Sequence, residues 1–157
     1  MEAYFDNSAT TIVTDSVKDI VVKTMTEDFG NPSAMHMVGV KAEKYIKEAQ
    51  ENIAKILKVD PKEIFFTSGG TESNNMAIIG TAMANKRKGN KIITTSVEHS
   101  SVLATMKYLE EQGFEVIYLP VDRYGVVQME ALEKEMTEDT ILVSTMYVNN
   151  EVGAIEP

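Results

Sequence analysis

The chain has 157 residues, 43% of them hydrophobic, which is enough for one globular domain with a buried core. Fifteen lysines and arginines against 24 aspartates and glutamates give a formal net charge of -9, which disfavours nucleic acid and anionic membranes as partners because both are themselves anionic. The sequence contains no cysteine, and this excludes disulfides, thiolate metal ligands and a cysteine nucleophile among these residues.

The N-terminal residues predict neither a targeting segment nor a core element. They lack a basic stretch followed by an apolar run, and no later segment is long and apolar enough to span a bilayer. We therefore expect a cytoplasmic protein that has no membrane partner. Residues 4–11 are small, polar and rich in hydroxyls, which is typical of a loop.

Two helices are predicted next. Thr14 can cap the first, in which apolar residues recur at helical spacing from Val17 to Met25. The segment Gly30-Asn31-Pro32-Ser33 ends it, since glycine favours helix C-termini and proline disfavours helical geometry in the residue before it. A second helix is predicted from about residue 34 to residue 57. At 1.5 Å per residue it would be roughly 35 Å long, which is typical of a helix lying across a domain face or a subunit contact.

Beyond Glu63 the pattern changes to strands that alternate with helices. Helices are predicted at about residues 74–86, 100–112 and 129–136. Such alternation indicates an α/β fold with a mostly parallel sheet that is covered by helices on both faces. The four predicted strands are buried apolar runs: Ile64-Phe65-Phe66, Ile92-Ile93-Thr94, Val116-Ile117-Tyr118-Leu119 and Ile141-Leu142-Val143-Ser144.

Ligands of open α/β sheets bind beyond the carboxyl ends of the strands, and three predicted turns there carry polar side chains. The first, Ser68-Gly69-Gly70-Thr71, is typical of an anion cradle. Its glycines let the backbone approach a ligand, the two hydroxyls add donors, and the following helix offers free N–H groups. The alternative interpretation is an ordinary loop in which Thr71 caps the helix.

The other two turns hold an imidazole and two carboxamides. His99 could stack on a flat cofactor or transfer protons, or it could simply be a partly exposed residue at a helix N-terminus. Asn149 and Asn150 could bind a polar ligand group or form an ordinary turn. His36 is interpreted as a surface or capping residue. Two isolated histidines predict no metal site, and the serines show no order typical of a hydrolase.

Five stretches together resemble the N-terminal part of the cysteine desulfurases, which are pyridoxal-phosphate enzymes of the class-V aminotransferase group. They occur in the family's order and cover essentially the whole chain. The stretches are Tyr4-Phe5-Asp6-Asn7-Ser8-Ala9-Thr10-Thr11, Phe29-Gly30-Asn31-Pro32-Ser33 with His36 and Gly39, Phe66-Thr67-Ser68-Gly69-Gly70-Thr71-Glu72-Ser73-Asn74, Glu98-His99, and Val148-Asn149-Asn150-Glu151-Val152-Gly153.

This resemblance implies a set of roles. Gly70 and Thr71 would bind the phosphate of pyridoxal 5'-phosphate, His99 would stack on its ring and take part in proton transfer, and Asn150 would lie near the ring oxygen and the substrate carboxylate. The substrate would be L-cysteine, whose sulfur leaves as an enzyme persulfide for an iron–sulfur scaffold or another acceptor. The complete enzyme would be a homodimer. Residues 1–13 would contribute to its small domain, and residues 14–157 would form part of its cofactor-binding domain.

The resemblance also implies residues that this sequence lacks. The family needs a lysine that forms a Schiff base and a persulfide-forming cysteine. Lys86, Lys91 and Lys107 are predicted at solvated helix or strand ends, where a lysine is poorly suited to that role. We therefore expect an N-terminal fragment that is inactive alone. The alternatives are a non-catalytic binding or assembly module, and another class-V enzyme such as a selenocysteine lyase or a small-molecule aminotransferase.

Overall fold

A computed structural model describes residues 3–157. The chain divides into two compact units, of which the first ends at Phe66 and the second spans Thr67–Pro157. The domain division expected between residues 13 and 14 stays a prediction.

The first unit contains the two helices that the sequence predicts, α1 (Asp15–Thr26) and α2 (Met37–Leu57), followed by a 3₁₀ turn, Pro61–Glu63. The backbone of Thr14 begins α1, but its side chain makes no capping hydrogen bond. Helix α2 begins three residues later than predicted, because His36 caps it. The Nδ1 atom of His36 accepts a hydrogen bond of 3.2 Å from the N–H of Gly39.

The prediction of a strand at Ile64-Phe65-Phe66 is wrong. These residues adopt no strand, and Phe65 and Phe66 are exposed. The main chain of Ile64 bonds locally instead, because its N–H donates to Pro61 O and its carbonyl accepts from Gln50 Nε2 at 2.9 Å. A strand requires a neighbouring strand to pair its backbone, and none of the described residues provides one here.

The second unit is a three-layer α/β structure, and the predicted fold class is confirmed. Its strands are β1 (Lys91–Thr95), β2 (Glu115–Leu119) and β3 (Thr140–Ser144), which are parallel in the order β2-β1-β3. Its helices are α3 (Gly70–Asn85), α4 (Ser100–Glu111) and α5 (Met129–Glu135). The central strand β1 is buried from its second residue onward, as expected for a strand covered on both faces.

The apolar core of this unit lies on both faces of the sheet. On one face, Ile92 packs with residues of α3 and α4, among them Ala82 and Met106. On the other, Ile93 and Leu119 pack with Val127 and with apolar residues of α5. Successive residues of a strand point to opposite faces, so Ile92 and Ile93 enter different halves of the core. Among the described residues, no helix combines the length and apolarity that a membrane crossing requires.

Candidate functional site

The N-terminus of α3 is open. Gly69 precedes the helix in an extended conformation and supplies no side-chain cap. Within residues 3–157, the main-chain N–H groups of Gly70, Thr71 and Glu72 make no hydrogen bond. Thr71 lies inside the first turn of the helix, so the alternative interpretation of Thr71 as the cap is wrong. Three free donors and the positive end of the helix dipole therefore meet at this turn.

Side-chain hydrogen bonds order the loop that leads into α3. The carboxylate of Glu72 turns back and accepts from the N–H and the hydroxyl of Ser68, each at 2.6 Å. These two bonds from Ser68 hold the pKa of the Glu72 carboxyl below its usual value. The Ser68 hydroxyl is therefore engaged, whereas the sequence predicted it as a donor to an anion. Thr67 adds bonds of 3.0 Å to Gly69 O and 2.7 Å to Ser73 Oγ.

His99 lies at the N-terminus of α4 and is connected to α3. Its Nδ1 atom accepts a 3.2 Å hydrogen bond from the N–H of Ser101 and lies 2.9 Å from Ser101 Oγ. Asn74 Nδ2, in α3, donates to the same Ser101 Oγ at 2.9 Å. The imidazole is exposed while Ser101 is buried. His99 is therefore an exposed residue at a helix N-terminus, as one interpretation held, and its side chain also caps that helix and is tied through Ser101 to α3.

Glu98 joins the turn after β1 to the turn after β3. Its Oε1 atom accepts from Thr95 Oγ1 at 3.0 Å and from the N–H of Met146 at 2.8 Å. The side chain is 7% exposed, and this burial raises the pKa of its carboxyl, with Glu156 adding to the rise. The sequence interpretation noted Glu98 only as a neighbour of His99. A charged residue directly after a buried strand was the available signal.

The two asparagines after β3 have different roles. Asn149 is buried and forms the turn, since its Oδ1 accepts from the N–H groups of Glu151 and Val152 at 2.9 and 3.0 Å. Its Nδ2 donates to Val97 O at 3.0 Å, which again ties this turn to the one after β1. Asn150 is exposed, and among the described residues its Nδ2 donates only to the adjacent Glu151, at 3.1 Å. The turn interpretation is thus correct for Asn149, whereas the carboxamide oxygen of Asn150 has no partner within residues 3–157.

Lys91 lies at the opposite, amino edge of the sheet. Its side chain is 12% exposed and its Nζ is 3.9 Å from a Glu115 oxygen and 3.7 Å from a Glu135 oxygen. The expectation that Lys91 is solvated is wrong, because two carboxylates stabilise the ammonium group where the strand begins. In the part of the chain that the structure describes, no three histidine, aspartate or glutamate side chains cluster as metal ligands would.

The chain is similar to a known family and to several named proteins. The family model described as aminotransferase class-V matches residues 3–157. Cysteine desulfurase IscS 1 of Archaeoglobus fulgidus is 49% identical over 154 residues, which is 98% of this chain and 40% of the relative. Cysteine desulfurase IscS of Methanosarcina thermophila is 51% identical over 154 residues, covering 98% of this chain and 38% of the relative.

Solved structures give the same result for the fold. A NifS-like protein superposes with a TM-score of 0.94 at 49% identity, over all of this chain and 43% of its own. A structure described as SspA in complex with cysteine gives a TM-score of 0.90 at 40% identity, over 98% of this chain and 44% of its own. The chain thus spans about 40% of the length of the relatives it matches. Because the family match runs through all the described residues, the chain belongs to the class-V aminotransferase family.

Proposed function

We propose that this chain forms the pyridoxal-phosphate-binding part of a cysteine desulfurase. In this proposal the whole enzyme removes sulfur from L-cysteine, leaves L-alanine, and passes persulfide sulfur to an iron–sulfur scaffold or another thiol acceptor. The relatives that carry the name cysteine desulfurase support the activity. The observation that carries the cofactor assignment is the open N-terminus of α3, whose Asn74 is hydrogen-bonded through Ser101 to His99.

The residues at this terminus fit a phosphate group. Three adjacent N–H groups, of Gly70, Thr71 and Glu72, are free donors, and a helix N-terminus favours an anion. The Thr71 hydroxyl also has no partner among the described residues. A Cβ placed on Gly69 or Gly70 would meet no atom within 4 Å, so the space beside the turn is open to a ligand. Gly70 and Thr71 would therefore hold the phosphate.

The other two turns would act on the organic part of the cofactor and on the substrate. The exposed His99 ring would lie against the flat pyridine ring and hold or move a proton at Nε2, since Nδ1 is already engaged. The second N–H of the Asn150 carboxamide would donate to the ring oxygen and orient the substrate carboxylate, while the first bonds to Glu151. Pyridoxal phosphate, when bound, supplies the electron sink that weakens bonds next to the amino group of an amino acid.

The proposal extends to features that rest on the family resemblance alone. They are a homodimer in the cytoplasm, and the division of residues 1–13 and 14–157 between a small and a cofactor-binding domain. The chain contains no cysteine. We therefore assign the persulfide-forming cysteine to residues outside this sequence, and on the family resemblance alone we assign the Schiff-base lysine there as well.

The cofactor assignment is tested by the affinity of the purified protein for pyridoxal phosphate in two threonine-to-valine variants. Thr71→Val removes one hydroxyl donor at the proposed phosphate site, and we expect affinity to fall about tenfold to a hundredfold, as for a hydrogen bond to a charged group. Thr137→Val is the matched control, because Thr137 is exposed and precedes β3 at the opposite edge of the sheet. Equal affinities for both variants and the parent would contradict the assignment.

The activity is tested separately, by measuring alanine release from L-cysteine and from L-selenocysteine with the protein supplied with pyridoxal phosphate and a C-terminal portion of the related desulfurases. Alanine and persulfide formed from L-cysteine support a desulfurase. Turnover of selenocysteine alone would identify a selenocysteine lyase instead, and cofactor binding without turnover of either substrate would favour a non-catalytic module.

A further inference from the structure

We propose that Ser101 and Asn74 are positioning residues that fix the neutral imidazole of His99 as the tautomer with its proton on Nε2. The consequence for catalysis rests on the function proposed above. The tautomer itself does not, because it follows from hydrogen bonds within this chain.

The Nδ1 atom of His99 lies within hydrogen-bond distance of two donors of the same residue. The main-chain N–H of Ser101, at 3.2 Å, can only donate, so Nδ1 must offer its lone pair. The Ser101 hydroxyl is 2.9 Å from the same nitrogen and can either donate or accept. Because an accepting Nδ1 carries no proton, the hydroxyl can bond to it only as a donor, and the two donors of Ser101 share the Nδ1 lone pair.

Asn74 prevents the hydroxyl from turning away. Its amide nitrogen, 2.9 Å from Ser101 Oγ, can only donate, so it occupies a lone pair of that oxygen. The single hydroxyl proton of Ser101 is then left for His99. Ser101 is 8% exposed and Asn74 is half-buried, so water competes poorly for these bonds.

His36 also caps a helix, but within residues 3–157 it lacks the side-chain hydroxyl that contacts Nδ1 in His99. Its Nδ1 also accepts from a main-chain N–H, that of Gly39 at 3.2 Å, at the start of α2. No side-chain hydroxyl donates to it among the described residues. The chain has two histidines, so His36 is an internal reference for every measurement on His99.

The tautomer determines what His99 presents to a ligand. With Nδ1 engaged, the exposed side of the ring carries the Nε2 proton, so the resting neutral imidazole is a hydrogen-bond donor at the site and offers no lone pair there. A rotated or tautomerised ring would present a lone pair there instead. Ser101 and Asn74 would therefore act through His99 and touch neither cofactor nor substrate themselves.

The test is the tautomer ratio of each histidine, measured by two-bond proton–nitrogen NMR on the purified ¹⁵N-labelled protein without cofactor, at a pH where the imidazoles are neutral. In Ser101→Ala we expect the ratio of Nε2–H to Nδ1–H at His99 to fall about threefold to tenfold, the effect of one hydrogen bond. The ratio at His36 should not change. Ser101→Thr keeps a hydroxyl at this position and should keep the His99 ratio of the parent. Ser100→Ala, one residue earlier and exposed, should leave it unchanged.

Asn74→Asp provides a second variant that leaves Ser101 in place. A carboxylate can only accept, so it draws the Ser101 proton away from His99 and should lower the ratio as Ser101→Ala does. If Ser101→Ala does not fold, this variant decides the question. An unchanged ratio at His99 in the variants that fold would overturn the proposal. If Thr71→Val loses cofactor binding but the His99 tautomer ratio is unchanged in Ser101→Ala and Asn74→Asp, the proposed function is supported and this inference is contradicted. If Thr71→Val binds the cofactor as the parent does but the ratio falls in those two variants, the inference is supported and the proposed function is contradicted.

Discussion

The two compact units of the chain bury their apolar residues to very different extents. In the unit from Thr67 to Pro157, Ile92, Met106 and Leu119 are fully buried. In the unit that ends at Phe66, α1 buries no residue, and α2 buries only Gly39 and Ala54. Both units show apolar residues at helical spacing. Helical spacing of apolar residues therefore specifies a helix but not its burial. Burial also requires a facing apolar surface, which the sheet supplies in the second unit.

The first unit has a polar anchor where the second has an apolar core. Asp28, just after α1, is 2% exposed and forms an ion pair with Lys41 of α2. Tyr45 donates a 2.6 Å hydrogen bond to its other oxygen, and Lys23 lies 3.7 Å away. Side chains of both α1 and α2 therefore stabilise the buried carboxylate of Asp28, and these contacts hold the two helices together.

The largest expected effect contrasts the core of the second unit with the exposed face of the first. Met106→Ala removes a fully buried side chain and should lower the free energy of unfolding by about 2 to 5 kcal/mol. Ile20→Ala removes a side chain that is 50% exposed in α1 and should change it by about 0.5 kcal/mol or less. Urea unfolding of both variants measures the difference. An equal loss in Ile20→Ala would mean that the α1 face is buried in solution.

The next effect concerns Asp28 and pH. The hydrogen bond from Lys41, then that from Tyr45, lowers the pKa of the Asp28 carboxyl from its usual value. A carboxyl with a lowered pKa contributes stability that is present above its unfolded pKa and is lost as pH falls through its folded pKa. We expect Asp28→Asn to weaken hydrogen-exchange protection of α1 and α2 at neutral pH, and the difference from the parent to disappear in strong acid.

Asp6→Asn is the control for this prediction, because Asp6 is exposed, lies outside both helices, and its carboxylate makes no hydrogen bond or ion pair among the described residues. It should leave the protection of both helices unchanged. If hydrogen-exchange protection of α1 and α2 at neutral pH were the same in Asp28→Asn as in the parent, the contacts of Asp28 would not be what holds this unit together.

A smaller effect of opposite sign is expected at Glu98 in the second unit. Burial raises the pKa of this carboxyl above its usual value, so its stabilising contribution is complete below the unfolded pKa and is lost as pH rises through the folded pKa. Glu98→Gln keeps an acceptor for Met146 and Thr95 without the charge. Thermal unfolding should show the variant gaining stability relative to the parent between acid and neutral pH.

Glu130→Gln, at an exposed position in α5, is the matched control and should follow the parent at every pH. If Glu98→Gln lost stability relative to the parent on going from acid to neutral pH, the ionised carboxylate of Glu98, rather than its neutral form, would be the one favoured between the two turns.

Much of the second unit could be predicted from sequence, because its strands and helices are specified by local patterns. The runs at Ile92 and Ile141 have the length and β-branched content of buried strands, and both form. Ile64-Phe65-Phe66 has the same local pattern and forms no strand. Pairing with a neighbour is a property of the fold, which no short pattern contains.

The site shows the same limit. The sequence predicted which turns carry the polar residues, since strand ends fix their positions. It could not predict that Glu72 would engage the Ser68 hydroxyl, or that Asn149 would form the turn while Asn150 remained free. These outcomes depend on side-chain geometry at distances of about 3 Å, which spacing along the chain does not determine.

In the proposed function, the open N-terminus of α3 holds the phosphate of pyridoxal phosphate. The most direct measurement is an NMR titration of the ¹⁵N-labelled protein with pyridoxal phosphate, followed at the main-chain amides. The account predicts saturable shifts of the Gly70, Thr71 and Glu72 amides with a single dissociation constant, while Gly113, at the opposite edge of the sheet, does not move. Saturable binding that leaves those three amides unshifted would contradict it.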